Sequence, residues 1–167
     1  SISMSADGKQ LVSRVAVRGN DYKDTALATW DLEHLDKGPV VTPSGEHMKF
    51  IGANALKSGK ILVTARQEWT GPLAGCGEGE LYGSTATFVF KNYLTDAKHS
   101  EFKEAFTRGS HQLGMSEQVE KCLEIAGSAG LVSTLPLEPT KVIIRRVNAL
   151  SLQGDYFLYD LETEKTE

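Results

Sequence analysis

A nucleophilic serine at a strand-to-helix elbow needs glycine two positions before and two after it, so that the hydroxyl stands exposed beside an oxyanion hole. No serine of this chain has both glycines. Gly109-Ser110-His111 and Gly127-Ser128-Ala129-Gly130 come nearest, and both read as loops flanking helices. Gly109 to Gly114 has the spacing of a phosphate-binding loop, but Met115-Ser116 stands where the Lys-Ser pair would be needed. The carboxylate pairs Asp21 with Asp24 and Glu78 with Glu80 could hold a cation, yet they read as solvated loops. His34, His47, His99 and His111 are scattered through loop-like segments and read as solvent-facing. The residues therefore predict no catalytic side chain, no metal ligand and no cofactor.

Cys76 and Cys122 have no second cysteine or histidine within five positions, a spacing that argues against structural zinc. They read either as two buried or free thiols or as one disulfide stapling the glycine-rich loop around Cys76 to a helix carrying Cys122. Such a bridge would stabilise the fold by about 4 kcal/mol on the chain-entropy model, and it needs an oxidising compartment such as a periplasm. If they are bridged, the denatured, unreduced protein shows no titratable thiol; two reactive thiols exclude the bridge. Trp69 and Tyr82 flank the loop from Gly71 to Gly83 and are the candidates for touching a neighbouring domain or a peptide, or else for packing at an edge.

The elements that would position these residues are mostly strands. Runs of β-branched and aromatic residues at 11–17, 25–32, 61–66, 85–90, 141–146 and 156–161 are bounded by Gly, Asp and Asn clusters. The five prolines fall between these runs. Phe102, Ala105 and Phe106, then Val119, Cys122 and Leu123, recur at helical spacing, with Ser116 as an N-cap. The pattern predicts a helical insertion over 96–126. A repeat orders the rest: Gly8-Lys9 and Leu11-Val12 match Gly59-Lys60 and Leu62-Val63 at one constant offset. A weaker third copy places Lys141, Ile143 and Ile144 in the same slots. Two copies close alike, in Trp30-Asp31-Leu32-Glu33 and Tyr159-Asp160-Leu161-Glu162, whereas the middle one is read as ending in Phe88-Val89-Phe90-Lys91. Repeats of about 40–50 residues with this content are propeller blades. The expectation is an all-β chain of about three antiparallel four-stranded blades, over 1–45, 46–95 and 127–167, with the helical insertion between the last two. The rival is a coincidence of hairpins in a β-sandwich.

The stretch Ile2-Ser3-Met4-Ser5-Ala6-Asp7-Gly8-Lys9, followed by a strand and Trp30-Asp31-Leu32, resembles the opening blade of the propeller domain in prolyl-oligopeptidase-type serine peptidases. Ala6 stands where that family usually has proline. Leu135-Pro136 followed by Glu138-Pro139, ahead of Lys141-Val142-Ile143-Ile144, is similar to a step in bacterial, exported members. The likeness covers both ends and not the centre, about 71–125. It implies a substrate-gating propeller portion of a hydrolase whose Ser, Asp and His lie on an α/β-hydrolase domain outside this chain. The implied partners are that C-terminal domain or further blades, and a peptide substrate. The implied location is periplasmic or secreted. The alternative is a free-standing, TolB-like propeller module that binds a protein partner without catalysis.

The chain has 167 residues, 40% hydrophobic and 24% charged, with a net charge of −4. That is enough for one sizeable core and too acidic for a general nucleic-acid binder. No apolar run approaches the length of a membrane span. Ser1 opens the chain with no charged-then-apolar leader, and both ends read as cut. Three blades fall short of the usual minimum of about four for a ring.

Overall fold

The computed structural model describes residues 2–16, 24–68, 88–107, 129–147 and 153–167. Among these lie eleven strands in three antiparallel sheets. The first holds β1 (Ile2–Met4), β2 (Gln10–Ala16), β3 (Thr25–Asp31) and β4 (Val40–Pro43) in that order. The second holds β5 (Met48–Ala55), β6 (Ile61–Glu68), β7 (Phe88–Thr95) and β8 (Lys103–Ala105). The third holds β9 (Ala129–Ser133), β10 (Lys141–Val147) and β11 (Gly154–Asp160), with an added bridge from Tyr159 to Thr166. Each sheet is an up-and-down meander, so every described pairing joins neighbours in sequence.

The sheets stack face to face in chain order. Ile61-Leu62-Val63 is apolar without alternation because both faces of the second sheet are covered. Ile61, Val63 and Ala65, with Phe50 and Ala53, meet Val12 and Leu27 of the first sheet. Leu62 and Leu94 on the opposite face meet Val142, Ile144, Tyr159 and Leu161 of the third. Each fully buried side chain of this kind contributes about 1.5–3 kcal/mol. Polar clasps accompany them: Thr25 Oγ1 donates to Phe50 O at 2.8 Å, and Arg14 Nη1 to Ile51 O at 3.0 Å. From the third sheet, Arg146 Nη2 donates to Phe106 O at 3.0 Å while its guanidinium lies over the ring of Phe157.

The repeat is present, with two corrections. Gly8 and Gly59 share φ of +71°, the left-handed conformation their turns require. Yet the first turn is one residue longer: Ser5 N–H reaches Gln10 O, whereas Leu56 N–H reaches Lys60 O. The strands that follow are consequently out of step with the sequence match by one residue. The middle copy also ends further on than 88–91. β7 runs to Thr95, and Asp96 takes the place held by Asp31 and Asp160. All three carboxylates accept the backbone N–H two residues on, at Glu33, Lys98 and Glu162, each at 2.9 Å. Further backbone donors, Ser100 N–H on Asp96 and Thr163 N–H on Asp160, hold those two below the usual carboxylate pKa.

The expected helix over 96–126 fails where it is described. Residues 96–100 form a turn and 103–105 form β8, the fourth strand of the second sheet. Phe102 stacks on Phe50 with ring centroids 5.9 Å apart, and Ala105 and Phe106 enter the core beside Tyr159. Their helical spacing reflects three separate packing contacts rather than one helical face. Ala129-Gly130 opens β9. Residues 108–126 of that expectation lie outside the described residues. Pro43 closes β4 instead of lying between strands, on the outermost strand, where no further partner needs its missing N–H.

Candidate functional site

Trp69, Cys76, Tyr82 and Cys122, the four residues singled out from the sequence, all lie outside the described residues, as do His111, Asp21, Glu78 and Glu80. His34 and His47 are exposed as expected, and His47 Nδ1 pairs with Glu68 Oε2 at 2.7 Å. Among the described residues no cluster of three or more His, Cys, Asp or Glu side chains could hold a metal ion.

His99 departs from its solvent-facing expectation. Asp96 folds the β7–β8 turn by accepting from Lys98 and Ser100, and His99 leaves that turn with φ of +55°. Its ring then reaches the first sheet. Nε2 lies 2.9 Å from Thr29 Oγ1 on β3, and Nδ1 lies 2.9 Å from Thr42 Oγ1 on β4. Burial lowers its pKa, opposed in part by the charge of Asp96. The unfolded chain therefore takes up the proton first as pH falls, so this contribution is complete above the ordinary value of about 6.5 and shrinks below it. Exposed His47, raised by Glu68, works in the opposite sense. His99→Gln is accordingly expected to flatten the loss of stability between about pH 7.5 and 5.5. Urea midpoints across that range check it, and parallel profiles for the two proteins would refute it.

Among the described residues, a concave feature with convergent polar groups lies between the second and third sheets. It is a cleft of about 370 Å³ lined by Thr64, Phe90 and Asn92 on one side and by residues 129–132 of β9 with Arg145 on the other. Asn92 sets its floor. Thr64 Oγ1 donates to Asn92 Oδ1 at 3.0 Å, and Asn92 Nδ2 donates to Ala129 O at 2.6 Å. A carbonyl can only accept, so the amide nitrogen must face β9. Phe90 stands 41% exposed at the rim. Among the described residues β9 pairs along one edge only, with β10. The lining carries no carboxylate, histidine, lysine or serine. It can grip an extended chain by backbone hydrogen bonds and an aromatic face.

No family model and no curated protein matches this sequence. A solved structure does resemble it: the β-propeller domain of the Trilobed protease from Pyrococcus furiosus, described as having an open velcro topology. The match has a TM-score of 0.53 at 9% identity and covers all of this chain. The three sheets are propeller blades. At that identity the likeness carries the fold alone. The chain spans 41% of the length of that neighbour. Within the propeller, β1, β5 and β9 are the first strand of each blade, and the cleft opens where the second and third blades diverge beside β9. The clue to the cleft in the sequence was Asn92, a lone amide between aromatic and apolar residues of a strand, which spacing alone does not single out.

Proposed function

We propose that this chain is a non-catalytic propeller portion of a serine peptidase of the prolyl-oligopeptidase type, restricting which peptides reach a Ser-Asp-His centre carried elsewhere in the polypeptide. The observation that carries the reading is the succession of three propeller blades with a cleft between two of them that offers hydrogen-bonding backbone and an aromatic rim and, among the described residues, no histidine or carboxylate in its lining. The opening-blade residues Asp7-Gly8-Lys9 and Trp30-Asp31-Leu32 support it, as does a neighbour that is itself the propeller domain of a protease. In this reading a substrate is an extended peptide that passes along β9 and Phe90. An exported location and a Cys76–Cys122 bridge belong to the same proposal. Among the described residues no helix is long and apolar enough to cross a membrane.

The 167-residue chain is expected to hydrolyse neither peptides nor esters, while the longer polypeptide hydrolyses peptides and is silenced by a serine-directed phosphonate. Turnover by the short chain that the same reagent abolishes, or no inhibitor-sensitive hydrolysis by the longer one, would overturn the proposal.

A further inference from the structure

The pairing partners align the three blades residue by residue. Gln10 pairs with Asp31 and Lys141 with Asp160, while Ile61 pairs with Thr95, which sets Lys60 opposite Asp96. On that alignment Leu11, Ile61 and Val142 are equivalent, and so are Val12, Leu62 and Ile143. Side chains alternate along a strand, so equivalent residues share a face. Ile61 and Val63 face the preceding blade, as do Val142 and Ile144. Val12 and Leu62 face the following blade, and Ile143 must do the same.

The face that each blade turns to its successor is thereby defined. In the first blade it is Val12, Arg14, Leu27 and Thr29, of which Val12 and Leu27 are fully buried and Thr29 nearly so. In the second it is Leu62, Thr64, Asn92 and Leu94, buried against the third blade apart from the half-buried Thr64. In the third it is Ile143, Arg145, Tyr156 and Leu158. Here Tyr156 is 64% and Leu158 37% exposed, and Arg145, although it also borders the cleft beside β9, is exposed and lays its guanidinium over Gly154 on the Tyr156 face, where a Cβ would collide with it. Of the four positions that fill an interface in the first two blades, three stand open in the third and Ile143 is half-buried.

We infer that the Ile143, Arg145, Tyr156 and Leu158 face of the third blade is the docking surface for a fourth blade of the same polypeptide. Arg145 occupies the position of Arg14, whose guanidinium donates to the Ile51 carbonyl in the first strand of the following blade. It would donate in the same way to a first-strand carbonyl of the fourth. The route also exists. Glu167 N–H donates to Leu158 O at 2.8 Å, so the chain has already turned back along the outer edge of β11, as β4 lies along β3. From β4 the chain passes at once into β5 of the next blade. A second copy, docking its own first blade here, is a poorer fit. The described β1 (Ile2–Met4) offers three residues where β5 offers eight.

This inference rests on the reading of the chain as part of a larger propeller, and its test separates the two. Tyr156→Cys is placed in the 167-residue chain and in the polypeptide translated on past Glu167, with labelling by a maleimide measured against each parent. The expected result is rapid labelling in the short chain and at least tenfold slower labelling in the longer one. Leu158→Glu, as a second variant, should lower the urea midpoint of the longer chain much further than that of the short chain. Equal labelling rates would overturn the inference. So would protection in the short chain that vanishes on dilution, which marks a second copy as the occupant, and so would a reading frame that stops at Glu167. Protection in a longer chain that shows no inhibitor-sensitive hydrolysis leaves the docking surface standing and removes the peptidase.

Discussion

Leu94→Ala is expected to destabilise the 167-residue protein by about 2–5 kcal/mol, the range for deleting a buried leucine side chain beyond Cβ and leaving part of the cavity behind. Leu158→Ala in the same protein should cost well under half as much. The two leucines are equivalent: Leu94 pairs with Leu62 on β6, and Leu158 pairs with Ile143 on β10. They differ in what lies over them. Leu94 is 6% exposed and packs among Val142, Ile144 and Tyr159, whereas Leu158 is 37% exposed. Strand propensity and cross-strand neighbours are therefore nearly matched, and the difference isolates packing between blades. Equilibrium urea unfolding of both variants measures it. Equal costs would mean that the second and third blades do not share a core as described. In a longer polypeptide with a fourth blade, the cost at Leu158 should rise toward that at Leu94.

That comparison also shows how much of the fold could be read beforehand. β2, β3, β6, β10 and β11 were legible because β-branched and apolar residues run between Gly and Asp punctuation, and that signal is local. β5 was not: Met48-Lys49-Phe50-Ile51-Gly52-Ala53-Asn54-Ala55 is broken by glycine and small residues, and the strand bulges between Phe50 and Gly52. The repeat was visible through Gly8 and Gly59, whose positive φ demands glycine. Its register was not visible, because the two turns differ by one residue and a slip of one moves every side chain to the other face. Matching letters set Val12 beside Val63, yet Val12 faces its following blade and Val63 its preceding one. Asp96 was missed as the third blade-closing aspartate because no aromatic precedes it. His99 looked like a loop histidine because its two threonine partners stand 70 and 57 residues away in sequence.

Asn92→Asp is expected to be the costliest single-atom change in the described interface. Asn92 is 5% exposed, and its amide nitrogen donates to the carbonyl of buried Ala129 at 2.6 Å, joining β7 of one blade to β9 of the next. Aspartate has the same shape but, once ionised, sets a charged acceptor against an acceptor. Removing one partner from a buried polar pair leaves the other unsatisfied, and an uncompensated buried charge costs about 3–5 kcal/mol. The introduced carboxyl can escape by taking up a proton and donating it to the Ala129 carbonyl. Its folded pKa must then lie above the unfolded value of about 3.9. The sign follows: the folded form holds the proton over that interval, so the penalty is full at neutral pH and shrinks as pH falls through the folded pKa. Asn92→Ala, which has no proton to gain, should show a penalty that does not change with pH. Urea midpoints of the two variants, each referred to the parent at pH 7 and pH 5, separate these cases. A flat profile for Asn92→Asp would mean that the carboxylate stays hydrated, and that the cleft beside β9 admits water down to its floor.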